Sequence, residues 1–169
     1  MESNFKNKGF TLIEIMIAVS IIILISAIVL LNYGNSGQQL ALQRSANKLA
    51  QDLRTAEEMA ISAAQTGGQV PQGGYGIYFS TTNSTQYILF ADSNGNGSYD
   101  AGEAVGNPIT MEKKIKITSP STLTITYSPP DPTVLINNNP ANTSATITIS
   151  NDNNSKSIIV NKTGLIYVQ

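Results

Sequence analysis

The stretch KGFTLIEIMIAVS, residues 8–20, decides how the rest of the chain is read. It opens an apolar run from Phe10 to Leu31, 22 residues long. At roughly 1.5 Å per residue this makes about 33 Å of helix, enough to cross a ~30 Å hydrocarbon core. Yet Glu14 stands near its start, among Leu12, Ile13, Ile15 and Ile17. A carboxylate in the middle of a bilayer costs about 2.5–3.5 kcal/mol on insertion scales, so its presence needs a reason.

Two ordinary readings leave that reason missing. A secretory signal peptide would have a shorter apolar core, roughly 7–15 residues, free of acid and followed by a small-x-small cleavage site. A plain signal anchor would have the right length and no use for the glutamate. In either case Lys6 and Lys8 precede the run, which keeps the N-terminus cytoplasmic and sends the remainder outward.

A third reading uses every residue of the motif. Lys8-Gly9-Phe10-Thr11-Leu12-Ile13-Glu14 resembles the leader and cleavage motif of type IV pilins and type II secretion pseudopilins. The resemblance implies that a prepilin peptidase removes residues 1–9, cutting between Gly9 and Phe10, and that Phe10 is N-methylated. It implies filament-assembly roles for Glu14 and Thr11: the Glu14 carboxylate pairs with the cationic N-terminus of a neighbouring subunit. A buried charge is tolerable when paired and expensive when its partner is removed, so such a residue acts as a register device. Ala18, Ser20, Ser26 and Ala27 would let like helices approach closely. Many pilins carry a proline late in this helix; here Leu31 stands in that region, and Gly34 and Gly37 are the alternative flexible points.

Beyond the membrane run (10–32), residues 33–66 continue as an amphipathic helix. Leu42, Ala46, Leu49, Leu53, Ala56, Ala60 and Ala63 recur at three- and four-residue spacing, while Lys48, Asp52 and Glu58 fall off that stripe. "TGGQVPQGG" then stops the helix. Residues 67–169 read as strands: YGIYF, QYILF, KIKIT, LTITY, ATITIS, SIIV and LIYV, punctuated by SPPDP, NNNPANTS and NDNNS. Leu123, Ile125 and Tyr127 would line one inner face, joined by Ile147, Ile149, Ile158 and Val160. The fold class is therefore α+β, a long N-terminal helix laid on an antiparallel sheet. The order of elements, with the closing strand–Asn–x–Thr–Gly–strand, resembles the GspH/FimT branch of minor pseudopilins and pilins.

Between two strands lies DSNGNGSYDAGE, Asp92 to Glu103, which satisfies the twelve-residue calcium-loop pattern. Asp92, Asn94, Asn96 and Glu103 would offer side-chain oxygens, Ser98 a backbone carbonyl, and Asp100 a direct or water-bridged oxygen. Asn, Gly and Asp also dominate plain hairpin loops, and the flanks are strands in place of EF-hand helices. If Ca²⁺ binds, three carboxylates and two amides point to an affinity of only about 10⁻⁴–10⁻³ M.

Composition narrows the function. There is no histidine and no cysteine, which removes the usual general base, the usual metal ligands and any disulfide framework. Net charge is −1, so no global field draws nucleic acid, and the lysines of EKKIKI read as a solvated strand. Nucleic acid is not an expected partner, and no motif places a nucleophile beside a base, so no enzyme is expected. The resemblance implies other partners: the prepilin peptidase, other pilin or pseudopilin subunits, the membrane, and the inner-membrane assembly platform with its ATPase. The expected location is the inner membrane, single-pass, N-terminus inside and head outside. The competing reading is a membrane-tethered, calcium-rigidified adhesion or substrate-binding module that does not polymerise.

Overall fold

The computed structural model describes residues 9–129 and 133–169, with the side chains of 31–36 left aside. Residues 1–8 of the 1–9 leader, Lys6 and Lys8 with them, and Pro130, Asp131 and Pro132 of SPPDP lie outside the described residues. The chain divides into two compact units, one ending at Gly37 and one spanning Gln38–Gln169.

Helix α1 spans Leu12–Ile61. In the first unit its apolar part, Leu12–Leu30, has no residue buried, so every large side chain from Leu12 to Leu30 meets the surroundings. In the second unit the stripe behaves as its spacing predicts: Leu42, Ala46, Leu49, Leu53, Ala56 and Ala60 are buried, joined by Ala41 and Ala50. Ala63 departs from the expectation. It is exposed and lies past the helix end in the left-handed region, at φ 49°.

The helix was expected to reach residue 66 and stops at Ile61. The Ala64 N–H donates to the Met59 carbonyl at 3.0 Å and the Ala63 N–H to the Ala60 carbonyl at 3.2 Å. These two bonds form a Schellman ending, normally built on glycine. An alanine at its left-handed position hides the stop from sequence, because the visible breakers, Gly67 and Gly68, come four residues later. The Tyr75 hydroxyl, donating to the Ala64 carbonyl at 2.7 Å, fastens the turn to the first strand.

Among the described residues nine strands follow. They are β1 (Gly74–Ser80), β2 (Gln86–Asp92), β3 (Ile109–Thr110), β4 (Lys116–Ser119), β5 (Thr122–Ser128), β6 (Thr133–Ile136), β7 (Ser144–Ser150), β8 (Ser155–Asn161) and β9 (Ile166–Val168). All pairings are antiparallel. They make two sheets in place of the single one expected, ordered β3-β2-β1-β5-β6 and β4-β7-β8-β9. The chain changes sheet three times, between β3 and β4, β4 and β5, and β6 and β7; at the second change Pro120 lacks the N–H that would continue a ladder. KIKIT and LTITY alternate alike on either side, so periodicity alone could not separate them. Strand β6 was not anticipated, because proline- and asparagine-rich turns crowd its four residues on both sides.

Tyr75, Ile77 and Phe79 of β1 join Leu123, Ile125, Tyr127, Ile147, Ile149, Ile158 and Val160 in the core with the helix stripe. Strand β5 is buried on both faces, since Thr124 and Thr126 are covered as well. What covers Thr126 is the acidic loop.

Candidate functional site

The N-terminal turn of α1 is built around the motif that opened the sequence. Thr11 precedes the first helical residue and so occupies the N-cap. Its backbone N–H and its hydroxyl both donate to Glu14 Oε2, each at 3.2 Å, and the Glu14 N–H donates to Thr11 Oγ1 at 3.3 Å. This is a reciprocal capping box, in which two helix-terminal N–H groups are satisfied by the two side chains. Its pattern, Thr-x-x-Glu before an apolar run, was legible in the sequence and supplies a local use for Glu14 beside the one drawn from the resemblance. Among the described residues, the bonds at Glu14 converge on Oε2; Oε1 carries none.

Gly9 and Phe10 lie just outside the helix, and Phe10 is 83% exposed. A Cβ added at Gly9 would meet no atom within 4 Å, and its φ is not in the left-handed range. The fold itself therefore makes no demand for glycine there. The Ser20 hydroxyl donates to the Met16 carbonyl at 2.8 Å, which satisfies it without a partner helix.

The acidic loop is a separate structure. Asp92 is fully buried, and its carboxylate accepts three backbone N–H groups: Gly95 at 2.8 Å and Asn96 at 3.1 Å on Oδ1, and Gly97 at 2.7 Å on Oδ2. Glu103 receives Ser93 N–H on one oxygen and Asp100 N–H on the other, both at 3.0 Å. The Asn94 and Asn96 amide NH₂ groups both donate to Asp100 Oδ2, at 2.8 and 2.6 Å, and the Ser98 N–H donates to Asn96 Oδ1. Thr126 Oγ1 binds the Gly97 carbonyl, while Tyr99 stacks on Tyr78 with ring centres 5.0 Å apart and meets Phe90 edge-on at 5.6 Å. Gly76 makes room, since a Cβ there would strike the Phe90 ring and the Ile125 carbonyl.

The six expected ligand residues are thus brought into one loop, but their groups face one another. The Asn94 and Asn96 NH₂ groups are both spent on Asp100. For Asn94 and Asn96 to act as ligands, both carboxamides would have to turn their oxygens away from this arrangement. What the loop does is cover the outer face of the five-stranded sheet.

On the helix side, Tyr87 donates its hydroxyl to Asp52 in a short bond, and burial together with that carboxylate raises its pKa far above the ordinary phenol value. Arg44 and Glu112 form an exposed bidentate pair at 2.8 and 2.7 Å; the hydrogen bond from Arg44 holds the Glu112 carboxyl below the usual range. Arg54 reaches the Ile166 carbonyl on β9 at 3.1 Å. Lys113, Lys114 and Lys116 are exposed; the expected strand begins only at Lys116, on edge strand β4, and Lys113 and Lys114 lie in the turn before it.

Comparison with known families bears on both halves. The family model described as type II transport protein GspH matches residues 45–164, more than half of the chain. The chain belongs to the GspH family. A second model, the prokaryotic N-terminal methylation motif, matches residues 4–30. No curated protein and no solved structure matches the chain. A GspH domain behind a methylation motif makes this a pseudopilin or type IV pilin-like subunit. The GspH match takes in the head and the acidic loop; the methylation match takes in Gly9, Phe10, Thr11 and Glu14.

Proposed function

We propose that the chain is a filament-subunit precursor acting in assembly of a type II secretion pseudopilus or type IV pilus and in protein secretion. A prepilin peptidase cuts between Gly9 and Phe10, Phe10 is methylated, and the subunit waits in the inner membrane with its N-terminus inside and its head outside. Its partners are other pilin or pseudopilin subunits and the assembly platform with its ATPase. The role is structural, with no catalytic step.

One observation carries this reading: an apolar helix with no residue buried from Leu12 to Leu30, holding one carboxylate, Glu14, in its first turn. An uncovered helix of this kind suits lipid first and a bundle of like helices afterwards. In lipid the capping box with Thr11 gives Glu14 two donors and lowers the cost of waiting. In a filament Oε1 can take the methylated amine of a neighbour, where low dielectric makes an ion pair strong and an unpaired charge intolerable. Gly9, which the fold does not need, suits recognition by the peptidase. A Ca²⁺ ion in the acidic loop is a separate proposal that requires the two carboxamides to turn; titration of the chelated protein followed by calorimetry tests it.

Intact mass and N-terminal sequence of the membrane-extracted chain, expressed with and without a prepilin peptidase, test the processing. A peptidase-dependent start at methylated Phe10 supports it, and retention of Met1 beside an active peptidase overturns it. Glu14→Ala then tests assembly: membrane insertion stays and incorporation into filaments is lost. Unaltered surface function in that variant would favour a tethered binding head instead.

A further inference from the structure

Asparagine followed by glycine occurs twice in the chain, at Asn94-Gly95 and Asn96-Gly97, and both pairs lie in the acidic loop. Such a pair carries its own chemistry in water. The glycine backbone nitrogen gives up its proton to base and attacks the asparagine Cγ. A C–N bond forms, and the carboxamide nitrogen leaves as ammonia. Water then opens the five-membered imide at either carbonyl, giving aspartate or isoaspartate. Glycine favours the attack because no side chain shields its nitrogen, and water is the one co-reactant.

The attack needs a free glycine N–H and a carboxamide able to swing onto it. The fold withholds both. Gly95 N–H donates to Asp92 Oδ1 at 2.8 Å and Gly97 N–H to Asp92 Oδ2 at 2.7 Å. Asn94 Oδ1 accepts the Asn96 N–H at 3.0 Å, Asn96 Oδ1 accepts the Ser98 N–H at 2.8 Å, and both NH₂ groups donate to Asp100. Reaction therefore waits on local opening of the loop. The two pairs are not held equally. Gly97 is buried, and a Cβ there would meet Asn138 Oδ1 at 2.6 Å. Its carbonyl is tied to Thr126 of β5. Gly95 is exposed, shares Oδ1 with the Asn96 N–H, and would bring a Cβ no nearer than 3.7 Å to Gln72. Freeing Gly95 means lifting the loop tip; freeing Gly97 means lifting the loop off the sheet.

We propose that Asn94 is a site of spontaneous covalent modification, a deamidation that Asp92 holds in check, and that Asn96 follows it. The change undoes the loop's closure. A donor to Asp100 becomes a second carboxylate facing it, and like charges so close repel. Isoaspartate also lengthens the backbone by one methylene just before Gly95 and draws that N–H off Asp92. The inference rests on the loop's own bonds and does not depend on how the subunit assembles.

The full chain in detergent micelles, with EDTA, is incubated in mildly alkaline buffer beside a blocked peptide of residues 92–99. Peptide mapping by mass spectrometry reads the amide-to-acid gain at each asparagine, and hydrogen exchange reads the Gly95 and Gly97 N–H groups. Asn94 should react about tenfold or more slower than in the peptide, ahead of Asn96, with its slowing matched by the protection of the Gly95 N–H. Asp92→Asn should quicken Asn94 by about tenfold or more. The exposed Asp100→Ala, which frees both carboxamides and leaves Asp92 in place, should quicken it less. Reaction of Asn94 at the peptide's rate, Asn96 reacting first, or an unchanged rate in Asp92→Asn overturns the proposal. The wild-type comparison decides by itself if Asp92→Asn loses its fold.

Discussion

Asp92→Asn, studied in the presence of EDTA, separates a loop closed by its own hydrogen bonds from one closed by calcium. The wild-type carboxylate is fully buried and accepts three backbone N–H groups at 2.7–3.1 Å. An asparagine keeps the size and leaves one oxygen for Gly95 and Asn96. Its NH₂ group would face the buried Gly97 N–H, donor against donor. Orphaning that donor costs about 1–3 kcal/mol, and weakening two charge-assisted bonds to neutral ones costs about 1 kcal/mol each. Relief of the carboxylate's burial offsets part of this, leaving about 2–4 kcal/mol. At roughly 3 °C per kcal/mol for a chain of this size, Tm should fall by about 6–12 °C. Circular dichroism melts of the full chain in detergent read the shift. A variant melting within about 2 °C of wild type would refute Asp92 as the keystone. If EDTA alone lowered the wild type to the variant's Tm, calcium would be the closing agent instead.

Other outcomes follow from the same geometry. Gly9→Ala should leave the melting profile unchanged, because nothing lies within 4 Å of the added Cβ, while peptidase processing, read by intact mass, is lost. Thr11→Ala removes an N-cap worth about 1 kcal/mol, so amide exchange in the first helical turn should quicken roughly fivefold. Ala63→Gly places glycine at the left-handed helix stop and should stabilise the head by about 1 kcal/mol, read by denaturant midpoint. Glu57 has its pKa raised by burial, against a smaller opposing pull from Arg54. A carboxyl raised in the folded state adds stability below its unfolded pKa of about 4.3 and loses it as pH rises through the folded value. Glu57→Gln should therefore raise Tm at pH 7, and the gap should close below about pH 4.

The features that repeat or obey a local rule were legible from the residues alone. The membrane-length run with Glu14 in its first turn needed only hydropathy and spacing, and the helix stripe from Leu42 to Ala60 needed only a 3.6-residue period. The inner strand faces, Leu123-Ile125-Tyr127 above all, followed from alternation. The Thr11–Glu14 capping box was equally local and could have been read from four residues.

Tertiary structure decided everything that depended on what lies opposite. Whether consecutive strands share a sheet is fixed by partners far along the chain, which is why the three changes of sheet were invisible. The acidic loop has the spacing of a cation site, yet the orientation of two amides and the burial of Asp92 under the sheet turn its polar groups toward one another. Ser45 reads as one more small residue on a helix. Only the tertiary fold buries its hydroxyl and leaves it without a hydrogen-bond partner. Periodicity reports which face a residue occupies; it carries no information about the polar groups that face it.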